Sequence, residues 1–514
     1  MSDNLFSIIR KRIRSASRPF IETGDGRVVT YAEAFALSGQ LANVLVALGV
    51  TPGDRVAVQD EKTPEAIMLY LACLRAGAVY LPLNTAYTLT ELEYFLGDAE
   101  PRAVVCTPER RDAVAAIAKK AGVGAVATLR GAAPANLIEA AAKASERFSD
   151  IPRDKDDLAA LLYTSGTTGR SKGAMLTHGN LASNAATLKE VWHFSKSDVM
   201  LHALPIFHTH GLFVATNVVL MAGALMIFLP QFDPDEIFRL LPRATVMMGV
   251  PTFYTRLLDD PRLDRASTAH MRLWVAGSAP LLAETHKAWR ARTSHAILER
   301  YGMTETNMIT SNPYDGERVP GAVGPPLPGV AVRITDVELG TPLSTGDVGM
   351  IEVRGPNVFK GYWRMPEKTA AEFRKDGFFI TGDLGKIDAA GYVHIVGRGK
   401  DLVISGGYNV YPKEIENEID ALTGVVESAV IGVPHPDFGE GVTAVVVIAK
   451  DGAMDERAVI KGIDGRLAKY KLPKRVVFVP SLPRNAMGKV LKNELRETYK
   501  DLYSANKQSG ARQS

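Results

Sequence analysis

Between Arg55 and Ala291 the chain alternates short apolar runs with longer amphipathic stretches, a rhythm that constrains its fold more than any other feature. Arg55–Val58 reads as a strand and Pro64–Ala76 as a helix. Ala103–Cys106 and Arg110–Ala121 repeat the pair, and Leu158–Tyr163 is a further strand running into a Gly/Ser/Thr loop. Thr245–Gly249 with Pro251–Leu258, and Leu273–Ala276 with Leu281–Ala291, continue it. Strands that each feed a helix predict βαβ units, hence mostly parallel sheets covered by helices. After about Gly329 the texture becomes β-rich, with Val330–Ile334, Val348–Val353 and Val393–Val396 separated by Gly/Asp turns. Beyond Gly399 two α/β patterns follow, around Val425–Val433 and Arg475–Val479. The expected fold class is α/β. A large N-terminal domain, residues 1–399, carries parallel-sheet αβα layers and a β-rich subdomain. Residues 400–401 form the boundary, residues 402–505 a small α+β domain, and residues 506–514 a polar, disordered tail.

One run approaches the length of a membrane span: Leu212–Pro230, LFVATNVVLMAGALMIFLP. Thr216, Asn217 and Gly223 interrupt it and no second run matches it, so it reads as a buried helix, a glycine break and a buried strand Leu225–Leu229. At the start, apolar Leu5–Ile9 precedes Arg10, Lys11, Arg12 and Arg14, the reverse of a secretory signal. The 60 Lys and Arg against 57 Asp and Glu leave a net charge of +3, which speaks against a nucleic-acid or membrane-surface partner. Cys73 and Cys106 lack CxxC spacing and read as small core residues. Such cysteine usage fits a reducing compartment, the cytoplasm.

The segment that carries chemistry is Tyr163-Thr-Ser-Gly-Thr-Thr-Gly-Arg-Ser-Lys-Gly173. Glycines let backbone N–H groups approach an anion, while hydroxyls and a lysine add donors and charge. Thr164, Ser165, Gly166, Thr167, Thr168, Gly169 and Lys172 therefore read as a polyphosphate cradle. It is not a Walker A loop, because Ser171 replaces the second glycine and Gly173 follows the lysine.

With Ala174-Met-Leu-Thr-His178 behind it, this loop resembles the signature of the adenylate-forming enzymes: acyl- and aryl-CoA synthetases, amino-acid adenylation domains and luciferases. Ser171 stands where that family usually has proline, which costs no donor. Further segments resemble the family in order. Gly277-Ser-Ala-Pro280 is similar to the wall of its adenine pocket, assigning Ser278, Ala279 and Pro280 to nucleotide binding. Tyr301-Gly-Met-Thr-Glu-Thr306 is similar to its second nucleotide motif. There the resemblance implies that Tyr301 stacks on adenine, Thr304 meets the α-phosphate and Glu305 helps hold Mg²⁺, a hard cation suited to oxygen ligands. Asp383 in Phe379-Ile-Thr-Gly-Asp383 would accept two ribose hydroxyls, with Arg398 beside them. Lys489, in Pro483-Arg-Asn-Ala-Met-Gly-Lys489, would be the catalytic lysine, screening the approach of two anions. The resemblance also implies a C-terminal domain that rotates about Lys400 and Asp401 and admits coenzyme A past Gly406 and Gly407. His202 and His208 read as loop histidines. Acetylation of Lys489 by a lysine acetyltransferase would remove its charge.

The expected reaction joins a carboxylate to the AMP of ATP and passes the acyl group to CoA. The expected acid comes from the pocket segments Pro205-Ile-Phe-His-Thr-His-Gly211 and Pro251-Thr-Phe-Tyr-Thr-Arg256. Family members for fatty or aryl acids line these with apolar side chains. Here Arg256, with His210, Thr209, Ser278 and Met308 as polar or lining neighbours, points to a second carboxylate on the substrate. The combination resembles the malonyl-CoA synthetases, so malonate, and methylmalonate beside it, are the expected acids. The alternatives are a ligase of monocarboxylic acids, a stand-alone adenylation enzyme loading a carrier protein, a luciferase-like oxidase and a nucleotide-binding sensor.

Overall fold

The computed structural model describes residues 2–131, 136–164, 171–406, 408–449, 454–485 and 488–503. Two helix-covered sheets dominate the first part of the chain. One has six strands in the order Ala125–Ala127, Ala103–Cys106, Arg55–Gln59, Val79–Pro82, Leu158–Thr164 and Lys172–Thr177. Its pairs are parallel except the last, where Thr164 lies opposite Lys172. The other has eight, in the order Asn307–Ser311, Leu298–Met303, Leu273–Ala276, Val246–Gly249, Val199–His202, Leu225–Phe228, Pro19–Thr23 and Val28–Thr30. Its six inner strands are parallel and its two edge pairs antiparallel. Inner parallel strands are covered on both faces, which is why they read as unbroken apolar runs.

The helices start where the sequence supplies a cap. Thr63 caps Pro64–Arg75, Thr30 and Thr88 form capping boxes with Glu33 and Glu91, and Thr177 does so with Asn180. The long apolar run resolves as a turn of π-helix, His210–Thr216, then a helix, Asn217–Ala222. Left-handed Gly223 (φ +68°) ends that helix before the strand Leu225–Phe228. No helix among the described residues is long and apolar enough to cross a membrane.

A four-stranded antiparallel sheet follows, Ala331–Thr335, Gly349–Arg354, Phe379–Ile387 and Val393–Arg398. One 3₁₀ turn, Gly399–Asp401, separates it from a five-stranded sheet. That sheet contains Val403–Ser405, Tyr408–Val410, Val425–His435, Gly439–Ile448 and Arg475–Phe478. It has cores of its own, one around Val403, Ile415, Val430 and Ala444, the other around Ile431, Val445 and Leu495. The expected tail, residues 506–514, lies outside the described residues.

Candidate active site

Four neighbouring parallel strands, Val199–His202, Val246–Gly249, Leu273–Ala276 and Leu298–Met303, end on one side of the large sheet. In open α/β sheets that is where ligands bind. The last strand turns back through Thr304, Glu305 and Thr306 into Asn307–Ser311, so the tip of this hairpin carries the Thr-Glu pair. Gly277 follows the third strand, and its backbone lies against the Arg300 guanidinium; a Cβ there would stand 2.3 Å from Arg300 Cζ. Ser278 takes a left-handed φ of +73°, a conformation that non-glycine residues adopt at a cost and that clusters at functional sites.

Glu305 is buried at the centre of a polar cluster. The Tyr362 hydroxyl lies 3.1 Å from Glu305 Oε1 and 2.7 Å from Glu372 Oε2. Glu372 also accepts from Lys172 Nζ at 3.1 Å and pairs with Lys368 at 2.8 Å. Lys172 Nζ sits 4.0 Å from the centre of the Tyr362 ring. Burial raises the Glu305 carboxyl above its ordinary range, against the pull of Tyr362 and Lys172. A buried carboxylate at a hairpin tip beside the phosphate-loop strand is a suitable single ligand for a hard cation whose remaining ligands are phosphate oxygens. Among the described residues no group of three or more acidic, histidine or cysteine side chains could hold a metal alone.

A second cluster joins the domains. Tyr301 donates its hydroxyl to Asp383 Oδ2 at 2.5 Å, and Arg398 Nε pairs with Oδ1 at 2.6 Å. Lys489 is brought to the same place. Burial first, then the Arg398 charge, lowers its pKa to about 8, while Asp383 works the other way. Its loop is set by Asn485, whose side chain accepts from the Lys489 N–H at 3.0 Å. Gly488 lies against Thr252 of the helix Pro251–Leu258, where a Cβ would meet the threonine side chain at 3.4 Å. Asp401 of the connecting turn accepts from Arg496 at 2.6 Å, and Lys400 is exposed.

The third cluster was only half visible in the sequence. His210 and Thr209 are buried, with His210 Nδ1 3.1 Å from the Ser278 hydroxyl. His210 Nε2 and Thr209 Oγ1 have no hydrogen-bond partner among the described residues. Met308 is buried, and its backbone N–H and C=O are tied to Asn184. Arg256 is not buried with this cluster. It lies exposed in the last turn of Pro251–Leu258, because Tyr254 and Leu257 are that short helix's buried face. The cation buried against Gly277 is Arg300. Its guanidinium is buried, Nε and Nη2 have no hydrogen-bond partner among the described residues, and burial pushes its pKa down to about 9. Burial, with the Arg300 charge next, holds His210 neutral. The signal for Arg300 was present as Glu299-Arg300, a charged pair inside a strand of a buried sheet. Glu372 and Tyr362 carried no such signal.

Ser165, Gly166, Thr167, Thr168, Gly169 and Gly407 lie outside the described residues. Thr164 and Lys172 flank the loop as the ends of two paired strands. Ala279 is half-buried and Pro280 exposed beside Ser278, and Thr304 is half-buried. Gly406 is exposed and left-handed (φ +59°) beside Phe438. Around it Tyr408, stacked on Tyr470 at 4.8 Å, and Phe438 are exposed, with Lys474 over the Phe438 ring at 4.8 Å.

Residues 11–363 match the AMP-binding enzyme family, and residues 414–489 match the AMP-binding enzyme C-terminal domain. The feruloyl-CoA synthase of an Amycolatopsis species is 39% identical over 483 residues, covering 92% of this chain and 94% of that one. The mitochondrial malonate–CoA ligase of Mus musculus is 36% identical over 520 residues, covering 93% and 88%. The crystal structure of ATP-bound MatB from Rhodopseudomonas palustris superposes with a TM-score of 0.96 at 67% identity, covering 98% of this chain and all of that one.

Proposed function

The chain belongs to the AMP-binding enzymes, and from that premise we propose that it ligates malonate to coenzyme A through malonyl-AMP. One observation carries the choice of acid: the Arg300 guanidinium, buried without a carboxylate partner among the described residues, beside His210 and Ser278. A buried cation left unpaired is unfavourable, and a second carboxylate on the substrate supplies its partner. Methylmalonate fits the same wall, since one methyl group changes the energy by about 1 kcal/mol. The similarity to malonate–CoA ligases supports the reading.

In the first half-reaction Arg300 holds the distal carboxylate, with His210 and Ser278 fixing its plane. Lys489 lies between the reacting carboxylate and the α-phosphate and offsets their repulsion as an oxygen attacks phosphorus and pyrophosphate leaves. Thr304, Lys172 and the phosphate loop bind the phosphates, Asp383 and Arg398 meet the ribose, and Tyr301 walls the adenine. Glu305 would hold Mg²⁺, which when bound neutralises phosphate charge. In the second half-reaction the C-terminal domain turns about Lys400–Asp401 and Lys489 withdraws. The CoA sulfur then attacks the acyl carbon, and AMP leaves. The exposed aromatic and basic surface around Gly406 suits the nucleotide end of CoA. Two buried free thiols, Cys73 and Cys106, support a reducing, cytoplasmic setting.

A second reading, an aryl-acid ligase, is favoured by the similarity to feruloyl-CoA synthase. Such a substrate would leave Arg300 unpaired. Pyrophosphate release measured with malonate, methylmalonate, acetate, ferulate and laurate, with and without CoA, decides. Malonate should lead, and a preference for ferulate would overturn the malonate assignment.

A further inference from the structure

Lys62 follows the strand Arg55–Gln59 of the six-stranded sheet, yet its side chain crosses to the eight-stranded one. Its Nζ donates to the carbonyls of His202 at 2.8 Å and Leu229 at 2.5 Å, and lies 3.0 Å from His202 Nδ1. The Phe228 ring centre is 4.4 Å away. No carboxylate pairs with Lys62 among the described residues, and burial lowers its pKa well below the ordinary lysine range; the three surrounding acceptors work the other way, matching the three N–H groups of the protonated amine. His202, the last residue of Val199–His202, has its Nε2 2.9 Å from the Gly211 carbonyl. A carbonyl only accepts, so Nε2 carries the proton. Burial and the Lys62 charge hold the ring neutral, so Nδ1 is a lone pair and accepts from Lys62.

Gly211 belongs to the π-helical turn His210–Thr216, a geometry rare in proteins and frequent at functional sites. Thr216 Oγ1 donates to the same Gly211 carbonyl at 2.9 Å. The turn packs so closely on the preceding loop that a Cβ at Gly211 would stand 2.0 Å from the Pro205 carbonyl oxygen. It opens with His210, the residue that meets Ser278. The preceding segment Pro205–Phe207 borders a cavity of about 500 Å³, walled also by Lys62 itself, Val58, Asp60 and Tyr80. Core packing buries the turn itself, and the hydrogen-bonded strut adds a directional hold on the Gly211 carbonyl.

We propose that Lys62 is a positioning residue for the acid substrate. By donating to His202 Nδ1 it selects the Nε2–H tautomer, which seats the Gly211 carbonyl and sets His210 against Ser278 and Arg300. The proposal rests on the reading of that wall as the acid site.

The test combines spectroscopy and kinetics. In protein labelled with ¹⁵N-histidine, His202 should show an Nε2–H, Nδ1-acceptor ring, and Lys62→Met should lose that signature. With whichever acid the wild type activates best, Lys62→Met should raise the acid KM about tenfold while kcat and the ATP KM stay within about twofold. His202→Gln, which keeps an N–H for the Gly211 carbonyl, should retain most of the acid affinity, and His202→Phe should match Lys62→Met. An Nδ1–H ring in the wild type, an unchanged acid KM in Lys62→Met, or an equal rise in the ATP KM would overturn the proposal. If Lys62→Met fails to fold, the two His202 variants decide, and equal acid KM values for them overturn it. Failure of wild type to activate malonate counts against the malonate reading alone, because the tautomer and the KM of the preferred acid are still measured.

Discussion

Arg256 and Arg300 show that a residue's type does not give its burial. Both are arginines in segments bordering the acid site, and only Arg300 is buried. Removing Arg300 from an ion pair with malonate should cost about 3–5 kcal/mol, two to four powers of ten in kcat/KM. Arg300→Met should therefore lower malonate kcat/KM by at least a hundredfold and leave butyrate little changed. Arg256→Leu, a substitution at an exposed position, should stay within about 0.5 kcal/mol for stability and leave the malonate-to-butyrate ratio alone. A collapse of that ratio in Arg256→Leu and not in Arg300→Met would reverse the assignment. Lys489 supplies a second prediction at this scale. Its pKa, lowered to about 8 by burial and the neighbouring Arg398, means that it carries its charge below pH 8 and loses it above. Pyrophosphate exchange with malonate should show kcat/KM falling about tenfold per unit above pH 8. In Lys489→Arg the limb at pH 8 should vanish, whatever the residual rate.

At the scale of an element, the strand Leu298–Met303 places its side chains alternately on two faces. Arg300 lies buried against Gly277, and Glu299 is buried on the other face, accepting from the Gly321 N–H at 3.3 Å. Burial raises the Glu299 pKa to about 8 from its ordinary 4.5. Between those values the unfolded chain is ionised and the folded one protonated. Stability should then fall by about 1.4 kcal/mol per pH unit as pH rises through that window. Glu299→Gln removes this slope, so its gain in Tm over the wild type should be larger at pH 8 than at pH 5. Equal gains at both would show that Glu299 is ionised in the fold. The hairpin that continues this strand has the same logic: its turn is short, so Thr304 and Glu305 stand together at its tip.

Across the whole molecule, the decisive contact is between domains. Lys489, on the loop Pro483–Lys489, shares its surroundings with Asp383 and Arg398, and Gly488 rests on Thr252. That placement suits the first half-reaction. Lys489→Ala should abolish pyrophosphate release from malonate and ATP, while synthetic malonyl-AMP plus CoA still yields thioester at a substantial rate. Lys400→Pro should do the reverse: with φ fixed in the connecting turn, malonyl-AMP should accumulate and thioester formation slow. Equal loss of both half-reactions in Lys489→Ala would remove its assignment to the first.

Local order determined much of this protein in advance. The boundaries of Ala103–Cys106, Leu273–Ala276 and Pro251–Leu258 were legible to the residue, because an apolar run between turn residues has few other solutions. The helix–glycine–strand reading of Leu212–Pro230 was legible because Gly223 ends a helix cheaply in the left-handed region. The motifs holding Glu305, Asp383 and Lys489 could be picked out because each is a contiguous segment that resembles, in order, a motif of the adenylate-forming enzymes. Tertiary structure alone decided what those residues meet. Glu372 reaches Glu305 through Tyr362, Lys62 reaches His202 from another sheet, and Arg300 rather than Arg256 becomes the buried cation. Each of these depends on which face of an element is covered and on contacts between residues far apart in sequence, 140 positions for Lys62 and His202. A side chain's charge is written in the sequence, but its dielectric surroundings, and hence its chemistry, arise only when distant segments exclude water around it.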